Sequence, residues 1–502
     1  MRRLLSTAPA RIIAKGGLSP STESLSFSRW FEKEERDERN RLQLAAFLDA
    51  LYRENIPQQQ STAALSAPRA SHGRRYPEHL LSPADVESFL KSCLNDEWIV
   101  HEKLLHATII KAERLLHDRH NISVPKVGRV IVVGDLHGDL ASLAHIIRKN
   151  GLPSSDTAYI FNGDIVDRGV RSSEVLYLVL ELLLRNPDSV FINRGNHEDS
   201  FLNCAYGFKS ELYGKYGVAN GRVLRDSLTR LYSSMPLCSW ISKSRTFVAH
   251  AGPPLLLPEK GSPRFSGNNA KTLWGDISSV RRHSCSRTQA DPILEALLWS
   301  DPSSDPSATG LQPNSSRGAG LIYGADMLDM WMRAEGVHTF IRSHQCIQFG
   351  VEKAALQTES RSSYTVFSST NYRGSGNEGA VIVLSPGGDG PDIKRFHSDD
   401  IETDRFVSSL EKDPHCHDAY SREVVTSIFR ALDKDSLGFL TLDEVERALI
   451  LAGEIGRSKE FDHGCVVENM GIGMGLDLRQ WLEKMDGGDG RISIEEFLRL
   501  FM

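Results

Sequence analysis

Short apolar runs alternate with segments of helical periodicity along the middle of the chain. The apolar runs are VIVVG at 130–134, YIFNG at 159–163 and VFINRG at 190–195. Between them, LASLAHIIRKNG and SSEVLYLVLELLLRN carry apolar side chains at the spacing of one helix face. Because short apolar strands that alternate with helices are typical of βαβ units, the pattern predicts an α/β domain over residues 130–384 with its sheet covered on both faces.

The segments before this region follow other patterns. Residues 44–52 place apolar side chains at helical spacing, which predicts a helix that packs on its own protein or binds a partner. Residues 57–76 lack periodicity and are rich in Pro, Ser and Gln, so they are predicted to be a linker. At Ser82 the sequence Ser-Pro-Ala-Asp supplies a cap residue, a first-position proline and an early acid. We therefore expect two helices before the first strand.

Two regions later in the chain also depart from the alternation. Stretches near 256–292 and 302–316 are rich in Ser, Pro, Asn and Gly, which predicts surface insertions. Beyond Tyr420 the chain becomes helical and acidic, which indicates a separate module.

Charge and cysteine content narrow the class of protein. The chain has 59 Lys plus Arg against 65 Asp plus Glu, a formal net charge of −6, which gives no reason to expect a nucleic-acid partner. Its 7 cysteines include no C-x-x-C pair, which favours buried thiols in a reducing compartment over a disulfide framework.

The longest apolar run, Val175 to Leu184, is about half as long as a bilayer span requires and contains Glu181. It is predicted to be a buried helix, and no transmembrane segment is expected. The first residues, MRRLLSTAPARIIAK, are basic, with no acid before Glu23. They read either as a disordered terminus, with a cytoplasmic location, or as a transit peptide for the mitochondrion or another organelle.

Each of the three apolar strands ends in a glycine that is followed by metal-capable side chains. The motifs are GDLHGD from Gly134, GDIVDRG from Gly163 and RGNHED from Arg194. In an open α/β sheet, side chains just past the carboxyl ends of the strands converge on one crevice. Oxygen and nitrogen ligands without cysteine suit a divalent metal such as Mn, Fe or Zn.

Together these motifs resemble those of the phosphoprotein phosphatase family of dinuclear-metal serine/threonine phosphatases. The later segments FVAHAG, LLWSDP, SSRGAG, RSHQ and FSSTNYRG extend the resemblance, in the family's order, over residues 127–385. The implied fold is a calcineurin-like metallophosphatase β-sandwich with flanking helices. The implied activity is hydrolysis of phosphoserine and phosphothreonine in phosphoprotein substrates by direct attack of a hydroxide shared by two metals.

The resemblance also implies a set of site residues. The metal ligands would be Asp135, His137, Asp164, Asn196, His250 and His344, with Asp164 shared by both metals. The catalytic group would be His197, Asp167, Arg168, Arg317 and Tyr372. In it, His197 would protonate the leaving oxygen while Asp167 fixes its tautomer, and the two arginines would grip the phosphate. Asp301 in LLWSDP reads either as a supporting residue or as a turn residue.

The C-terminal region contains two candidate calcium loops. DKDSLGFLTLDE, from Asp433 to Glu444, matches the EF-hand pattern except at its fifth position, where Leu437 offers no side-chain oxygen. Alignment of the second loop on Gly490 puts Met485 first, so this loop is predicted to be degenerate. The candidate calcium ligands are Asp433, Asp435, Phe439, Thr441, Glu444, Asp489 and Glu496. A helical pair that binds no calcium remains the alternative for both loops.

A phosphatase core with EF-hand loops resembles the protein phosphatases with EF-hand domains, of the retinal degeneration C type. The predicted parts are a basic and charged region with a linker (1–75), a helical lead-in (76–126), a catalytic domain (127–400) and an all-α EF-hand pair (415–502). That family commonly binds calmodulin, but RWFEKEERDERNR has the charge of such a site without an Ile-Gln pattern. The alternative functions are a phosphoesterase for nucleotide polyphosphates and a catalytically inactive, calcium-responsive scaffold.

Overall fold

The computed structural model describes residues 82–95, 98–126, 128–257, 273–283, 291–356, 360–386, 390–405, 438–441 and 491–493. The basic N-terminus, the predicted helix at 44–52 and the predicted linker at 57–76 lie outside these residues. Among the candidate calcium positions, Phe439 and Thr441 are described, whereas Asp433, Asp435, Glu444, Asp489 and Glu496 lie outside.

Helices and strands alternate through most of the described chain. The helices are α1 (Pro83–Asn95), α2 (Glu102–His117), α3 (Leu140–Asn150), α4 (Ser172–Arg185), α5 (Leu202–Tyr206), α6 (Phe208–Ser234), α7 (Leu273–Ser279), α8 (Pro292–Trp299) and α9 (Ala325–Ala334). The strands are β1 (Ile122–Ser123), β2 (Arg129–Val133), β3 (Thr157–Phe161), β4 (Val190–Ile192), β5 (Cys238–Ile241), β6 (Thr246–Ala249), β7 (Asp301–Pro302), β8 (Leu311–Pro313), β9 (Leu321–Tyr323), β10 (Thr339–Arg342), β11 (Val351–Lys353), β12 (Ser362–Val366), β13 (Gly379–Leu384), β14 (Asp392–Phe396), β15 (Phe439–Thr441) and β16 (Arg491–Ser493).

Two sheets form the centre of the fold. The first has the order β14-β13-β2-β3-β4 and the second has the order β1-β5-β6-β10-β12-β11. Strands β2, β3 and β4 are parallel, and Val133, Phe161 and Ile192 stand in register across them. Because the three strands end at the same level, the loops that follow them leave the sheet side by side.

The two sheets pack face to face through one apolar cluster. Val132 and Ile160 of the first sheet share this cluster with Val248, Ile341 and Val366 of the second. Helices cover the outer faces: α1 to α4 and α6 on the first sheet, and α7 to α9 on the second. The periodicity correctly predicted a sheet covered on both faces, but one face is covered by a second sheet. The apolar pattern of a strand does not show whether a sheet or a helix packs on it. The β-sandwich with flanking helices agrees with the expected fold class.

The two helices expected ahead of the first strand are present as α1 and α2. At the start of α1, the Asp85 amide donates to Ser82 Oγ at 3.2 Å, while the Ser82 amide donates to Asp85 Oδ2 at 2.7 Å. The predicted cap is therefore confirmed. The run from Val175 to Leu184 lies within α4 and is buried apart from its last residue, and Thr108 of α2 donates to Glu181 Oε1 at 2.6 Å.

The stretch at 302–316 is largely exposed, as expected of a surface insertion, but it is not irregular throughout. Strands β7, β8 and β9 form a small sheet of their own, in which Leu311 to Pro313 pair antiparallel with Leu321 to Tyr323. Serine, proline and glycine mark the turns of such a small sheet as strongly as they mark a loop, so composition could not separate the two. Most of the other stretch, near 256–292, lies outside the described residues.

The predictions about the cysteines and about transmembrane segments can also be compared with the structure. Cys93, Cys204, Cys238 and Cys346 are buried free thiols, as predicted, whereas the remaining cysteines lie outside the described residues. In the described part of the chain, no helix combines the length and the apolar character needed to cross a membrane.

Candidate active site

The loops after the first three strands approach one another closely at their glycines. A Cβ atom at Gly134 would lie 2.2 Å from the carbonyl oxygen of Val366. Gly163 has φ +84°, and a Cβ atom there would lie 2.5 Å from Cα of Gly195. Only residues without a side chain allow this approach, so the glycines bring the acids and imidazoles that follow them into one crevice.

Several of the predicted site residues have a left-handed backbone. The φ angles are 45° at His137, 50° at Asp164, 72° at Asp167, 71° at Arg168 and 73° at His344. Non-glycine residues rarely adopt positive φ, and such strain persists only where the surrounding structure enforces it. The clustering of these angles at one site is typical of a functional centre.

One cluster of candidate ligand atoms lies around His137. Its Nδ1 atom lies 3.0 Å from the carbonyl oxygen of Val166, so Nδ1 carries the proton and Nε2 presents a lone pair. That Nε2 atom lies 3.6 Å from Asp164 Oδ2. His137, Asp164 and His197 together form a group of buried residues that can hold a metal ion.

A second cluster shares Asp164 with the first. It joins Asp164 to His250 and His344, and His250 Nε2 lies 3.3 Å from Asp164 Oδ1 and 3.1 Å from His344 Nδ1. His250 Nδ1 lies 2.8 Å from the carbonyl oxygen of Asn162, so its proton is directed away from the cluster. Asn196 Oδ1 lies 2.9 Å from His250 Nε2 and 3.0 Å from His344 Nδ1.

This arrangement fits a cation. The Asn196 oxygen and two ring nitrogens are lone-pair atoms directed at one another, an arrangement that a metal ion between them would stabilise. With the amide turned over, its nitrogen would instead lie 2.9 Å from His250 Nε2 and 3.2 Å from either oxygen of Asp164. Mixed oxygen and nitrogen ligands suit first-row divalent metals.

Asp135 lies on the His344 side of the cluster. Its Oδ1 accepts a hydrogen bond from the His344 amide at 3.2 Å and lies 3.9 Å from His250 Nδ1. Burial and the nearby charge of Asp164 raise the pKa of Asp135 to about 8. Without a metal, burial lowers the pKa of His250, but Asp164, Asp135 and the Asn162 carbonyl together raise it to about 9. Two buried carboxylates therefore require nearby positive charge, which a metal cation would supply.

His197 and Asp167 form a buried pair beside the first cluster. His197 Nδ1 lies 2.8 Å from Asp167 Oδ2, which also accepts from Asn203 Nδ2 at 2.8 Å. The amide of Phe208 donates to the other oxygen of Asp167 at 3.1 Å. Although burial alone would lower the pKa of His197, Asp164 and Asp167 raise it. The pair leaves His197 Nε2 as the ring atom able to exchange a proton with a ligand.

The predicted phosphate-binding residues lie around these clusters. Arg317 Nε donates to Asp301 Oδ2 at 2.9 Å, and its Nη2 donates to the carbonyl oxygen of His344 at 3.4 Å. The Arg168 guanidinium lies 3.9 Å from the centre of the Tyr206 ring. The Tyr372 ring stacks on His137 with centroids 5.2 Å apart.

The structure resolves the ambiguity at Asp301 and adds a role for Arg342, the first residue of the RSHQ motif, to which the sequence analysis gave none. Asp301 Oδ1 accepts from Arg342 Nη2 at 2.8 Å, so one carboxylate holds both Arg342 and Arg317. Asn314 Nδ2 also donates to Asp301, at 3.0 Å. Asp301 is thus a supporting residue, and the RSHQ motif gave no sign that its arginine binds Asp301.

Glu198 has a supporting role that sequence reasoning also missed. Its carboxylate is fully buried and accepts from the amides of Asp164 at 2.8 Å, Ile165 at 2.9 Å and Gly195 at 2.9 Å. It therefore joins two of the ligand-bearing loops. Its position next to His197 in RGNHED indicated that Glu198 lies near the site, but not that it binds the backbone of two ligand-bearing loops.

Comparison with known proteins gives a consistent family. The sequence profile of the calcineurin-like phosphoesterase family matches residues 128–348. The chain is 36% identical over 300 residues to serine/threonine-protein phosphatase rdgC of Drosophila melanogaster, covering 57% of this chain and 42% of that protein. It is 30% identical over 336 residues to mouse (Mus musculus) serine/threonine-protein phosphatase with EF-hands 1, and the match covers 61% of this chain and 50% of that protein. The chain thus spans about half the length of these relatives.

Two further comparisons cover more of the other protein. Serine/threonine-protein phosphatase 7 of Arabidopsis thaliana is 30% identical over 369 residues, which cover 66% of this chain and 85% of that protein. The chain also superposes on a solved structure of a protein serine/threonine phosphatase from Saccharomyces cerevisiae, with similarity to human phosphatase PP5. The TM-score is 0.51 at 29% identity, and the match covers 62% of this chain and 96% of that one. The chain belongs to the phosphoprotein phosphatase family of serine/threonine phosphatases.

Proposed function

We propose that this chain is a metal-dependent protein phosphatase that hydrolyses phosphoserine and phosphothreonine in protein substrates. The observation that carries the proposal is the shared position of Asp164 between two clusters of buried ligand atoms, with the His197–Asp167 pair alongside. Family membership supports the same reaction.

The proposed second ligand set follows from the cluster of Asp164, His250 and His344, whereas Asp135 joins the first set on the family resemblance alone, since the cluster around His137 contains His197 in its place. Asp135, His137 and Asp164 would hold one metal, and Asp164, Asn196, His250 and His344 would hold the other. Two transition metals, Mn, Fe or Zn, would supply Lewis acidity for the phosphoryl oxygens and an acidified water. Val166 and Asn162 orient two of the imidazoles through their backbone carbonyls, which keeps the ligand nitrogens directed inward.

His197 is the proposed general acid. Its Nδ1 faces Asp167, so a proton on Nε2 can pass to the departing serine or threonine oxygen. Asp167 helps to raise the pKa of His197 through its hydrogen bond and its charge, which favours the protonated ring that this step requires. Asn203 and the Phe208 amide hold Asp167 in place, so the imidazole keeps one orientation.

Arg168 and Arg317 are the proposed phosphate-binding residues. A guanidinium presents paired N–H groups that match two phosphoryl oxygens, which a lysine cannot do. Asp301 fixes Arg317 through Nε, so its terminal nitrogens are positioned before substrate arrives. Tyr372, stacked on His137, is proposed to donate its hydroxyl to the phosphate.

We further propose that calcium binds the C-terminal loops and regulates the enzyme. Gly438, the sixth residue counted from Asp433, has φ +81°, as the sharp turn of a calcium loop requires. Strands β15 and β16 pair antiparallel with Leu440 opposite Ile492. Counted from Asp433 and Met485, both are eighth residues, so the pairing relates equivalent positions of the two loops. Calmodulin binding remains a weaker proposal, because the sequence lacks an Ile-Gln pattern.

One set of assays tests the proposed function. The purified full chain, supplied with manganese, is assayed on a phosphoserine peptide and on a dinucleotide polyphosphate, with calcium or with a calcium chelator. We expect turnover of the peptide and a change in rate with calcium. Turnover of the nucleotide alone would establish the small-molecule alternative, and no turnover in a metal-loaded chain would establish the inactive scaffold.

A further inference from the structure

A fully buried arginine lies just beyond the loop that carries Asp167 and Arg168. Arg171 is 0% exposed, and its guanidinium contacts two different parts of the chain. Nη1 donates to the carbonyl oxygen of Trp98 at 2.7 Å, and Nη2 donates to the carbonyl oxygen of Cys93. Arg171 therefore binds the segment at the end of α1, outside the α/β core.

The same guanidinium binds the segment that follows the last strand of the first sheet. Its Nε donates to Asp404 Oδ2 at 3.2 Å and its Nη2 to Asp404 Oδ1 at 3.4 Å. Asp404 is itself buried, with 6% of its surface exposed. A buried carboxylate that faces a buried guanidinium through both oxygens fixes the position of both groups.

The backbone between Arg168 and Ser172 is held from several directions. The Arg168 amide donates to the Tyr206 carbonyl at 2.7 Å, and the Gly169 amide donates to the His137 carbonyl at 2.9 Å. Glu211 accepts from the Ser172 amide at 2.9 Å. Since Asp167 and Arg168 both have positive φ, this loop depends on its surroundings to keep its shape.

We infer that Asp404 is a positioning residue, which acts through Arg171 to hold the Asp167–Arg168 loop in the shape that binds phosphate. The inference rests on the proposed function, because it concerns the same phosphate. Without the carboxylate of Asp404, the buried charge of Arg171 loses its bidentate partner, while the buried Glu174 on α4, whose charge also acts on Arg171, remains. The guanidinium is then expected to shift toward Glu174 and to draw the loop with it.

Glu402 provides a matched control within the same segment. Its carboxylate lies 2.8 Å from Arg148 Nη1 and accepts from Asn95 Nδ2 at 2.7 Å. These partners belong to α3 and α1, and their contacts with Glu402 are exposed. Glu402→Gln therefore perturbs the attachment of the segment without changing the charge that faces Arg171.

The test compares Asp404→Ala, Asp404→Asn and Glu402→Gln with the wild-type full chain in manganese buffer. The measurements are kcat and KM on a phosphoserine peptide, the affinity for inorganic phosphate by calorimetry, metal content and thermal unfolding. For Asp404→Ala we expect kcat/KM and phosphate affinity to fall roughly 10- to 100-fold, as for a misplaced binding group, with metals retained. Asp404→Asn keeps an acceptor oxygen, so its kcat/KM and phosphate affinity should lie between those of Asp404→Ala and wild type. For Glu402→Gln both quantities should stay within about twofold of wild type.

Other results would overturn the inference. Folded Asp404 variants with wild-type kinetics and phosphate affinity would show that the loop does not depend on Asp404, and equal losses in Glu402→Gln would show only a general attachment effect. If Asp404→Ala does not fold, Asp404→Asn decides, and loss of folding in both would reduce Asp404 to a stability residue. An inactive wild-type chain would count against the proposed function, whereas phosphate calorimetry would still decide the role of Asp404.

Discussion

The two sides of the candidate site are built in different ways. On the metal-ligand side, Asp135, Asp164 and Asn196 each follow a glycine at the end of one of three adjacent strands. On the phosphate side, Arg317 is held by Asp301, 16 residues away, and Asp301 is held in turn by Arg342, 41 residues from it. These three ligands depend on local turns, whereas the position of Arg317 depends on contacts between distant segments. The two sides should therefore fail differently when they are mutated.

Loss of the shared carboxylate should have the largest effect. Asp164→Ala removes the oxygen atoms common to both clusters, so we expect both metals to be lost and kcat to fall by roughly three orders of magnitude or more. Elemental analysis together with peptide turnover checks this. Retention of two tightly bound metals would contradict the central position given to Asp164.

Loss of the proposed acid should affect chemistry more than metal binding. His197→Ala should lower kcat by roughly 10² to 10⁴-fold while the metal content stays near that of wild type. Asp167→Asn weakens the partner of His197 Nδ1 and also replaces one acceptor oxygen that faces Asn203 or the Phe208 amide, but it keeps the imidazole, so it should cause a smaller loss. If His197→Ala empties the site, the histidine is a ligand, as its place in the first cluster would also allow.

The phosphate side should lose stability as well as rate. Asp301→Ala leaves Arg342 and Arg317 without their common carboxylate, so we expect about 3–5 kcal/mol less unfolding free energy and a raised KM. Arg317→Lys should raise KM with little change in stability, because its side chain is less buried than that of Arg342. Denaturant titration of both variants separates the two effects, and equal destabilisation would contradict this division.

Glu198 tests whether the ligand side depends on more than its local turns. Glu198→Gln places an amide NH₂ group against at least one of three backbone donors, which should cost about 1–3 kcal/mol of unfolding free energy. Part of the metal affinity should be lost with it, since this carboxylate joins two ligand-bearing loops. Unchanged stability and metal affinity would show that the turns alone maintain the ligand geometry.

The smallest effect on basal turnover is expected in the C-terminal region. Glu444→Ala should abolish the response to calcium and leave the calcium-free rate unchanged, because this acid closes the first predicted loop. Asp443→Ala, its neighbour, is the matched control and should keep the response. Activity assays at controlled free calcium measure both, and a calcium response retained by Glu444→Ala would exclude the first loop as its source.

The sequence by itself determined the alternation of strands and helices, the cap at Ser82 and the order of the ligand motifs. These features follow from local chemistry: side-chain periodicity, turn residues and the absence of a side chain at glycine. The positions of Asp135, Asp164 and Asn196 beside one another follow from the same local rules, because parallel strands end together.

Only the tertiary structure determined how the elements pack and which distant residues contact one another. It placed a second sheet, rather than helices, on the inner face of the first, and it paired two short strands at 301–302 and 311–313 with a third in a small sheet. It also joined Asp301 to Arg342 and Asp404 to Arg171. Ion pairs between distant segments produce no periodic or local sequence pattern. Each partner, taken alone, resembles any other charged residue, and only folding determines which residue it contacts.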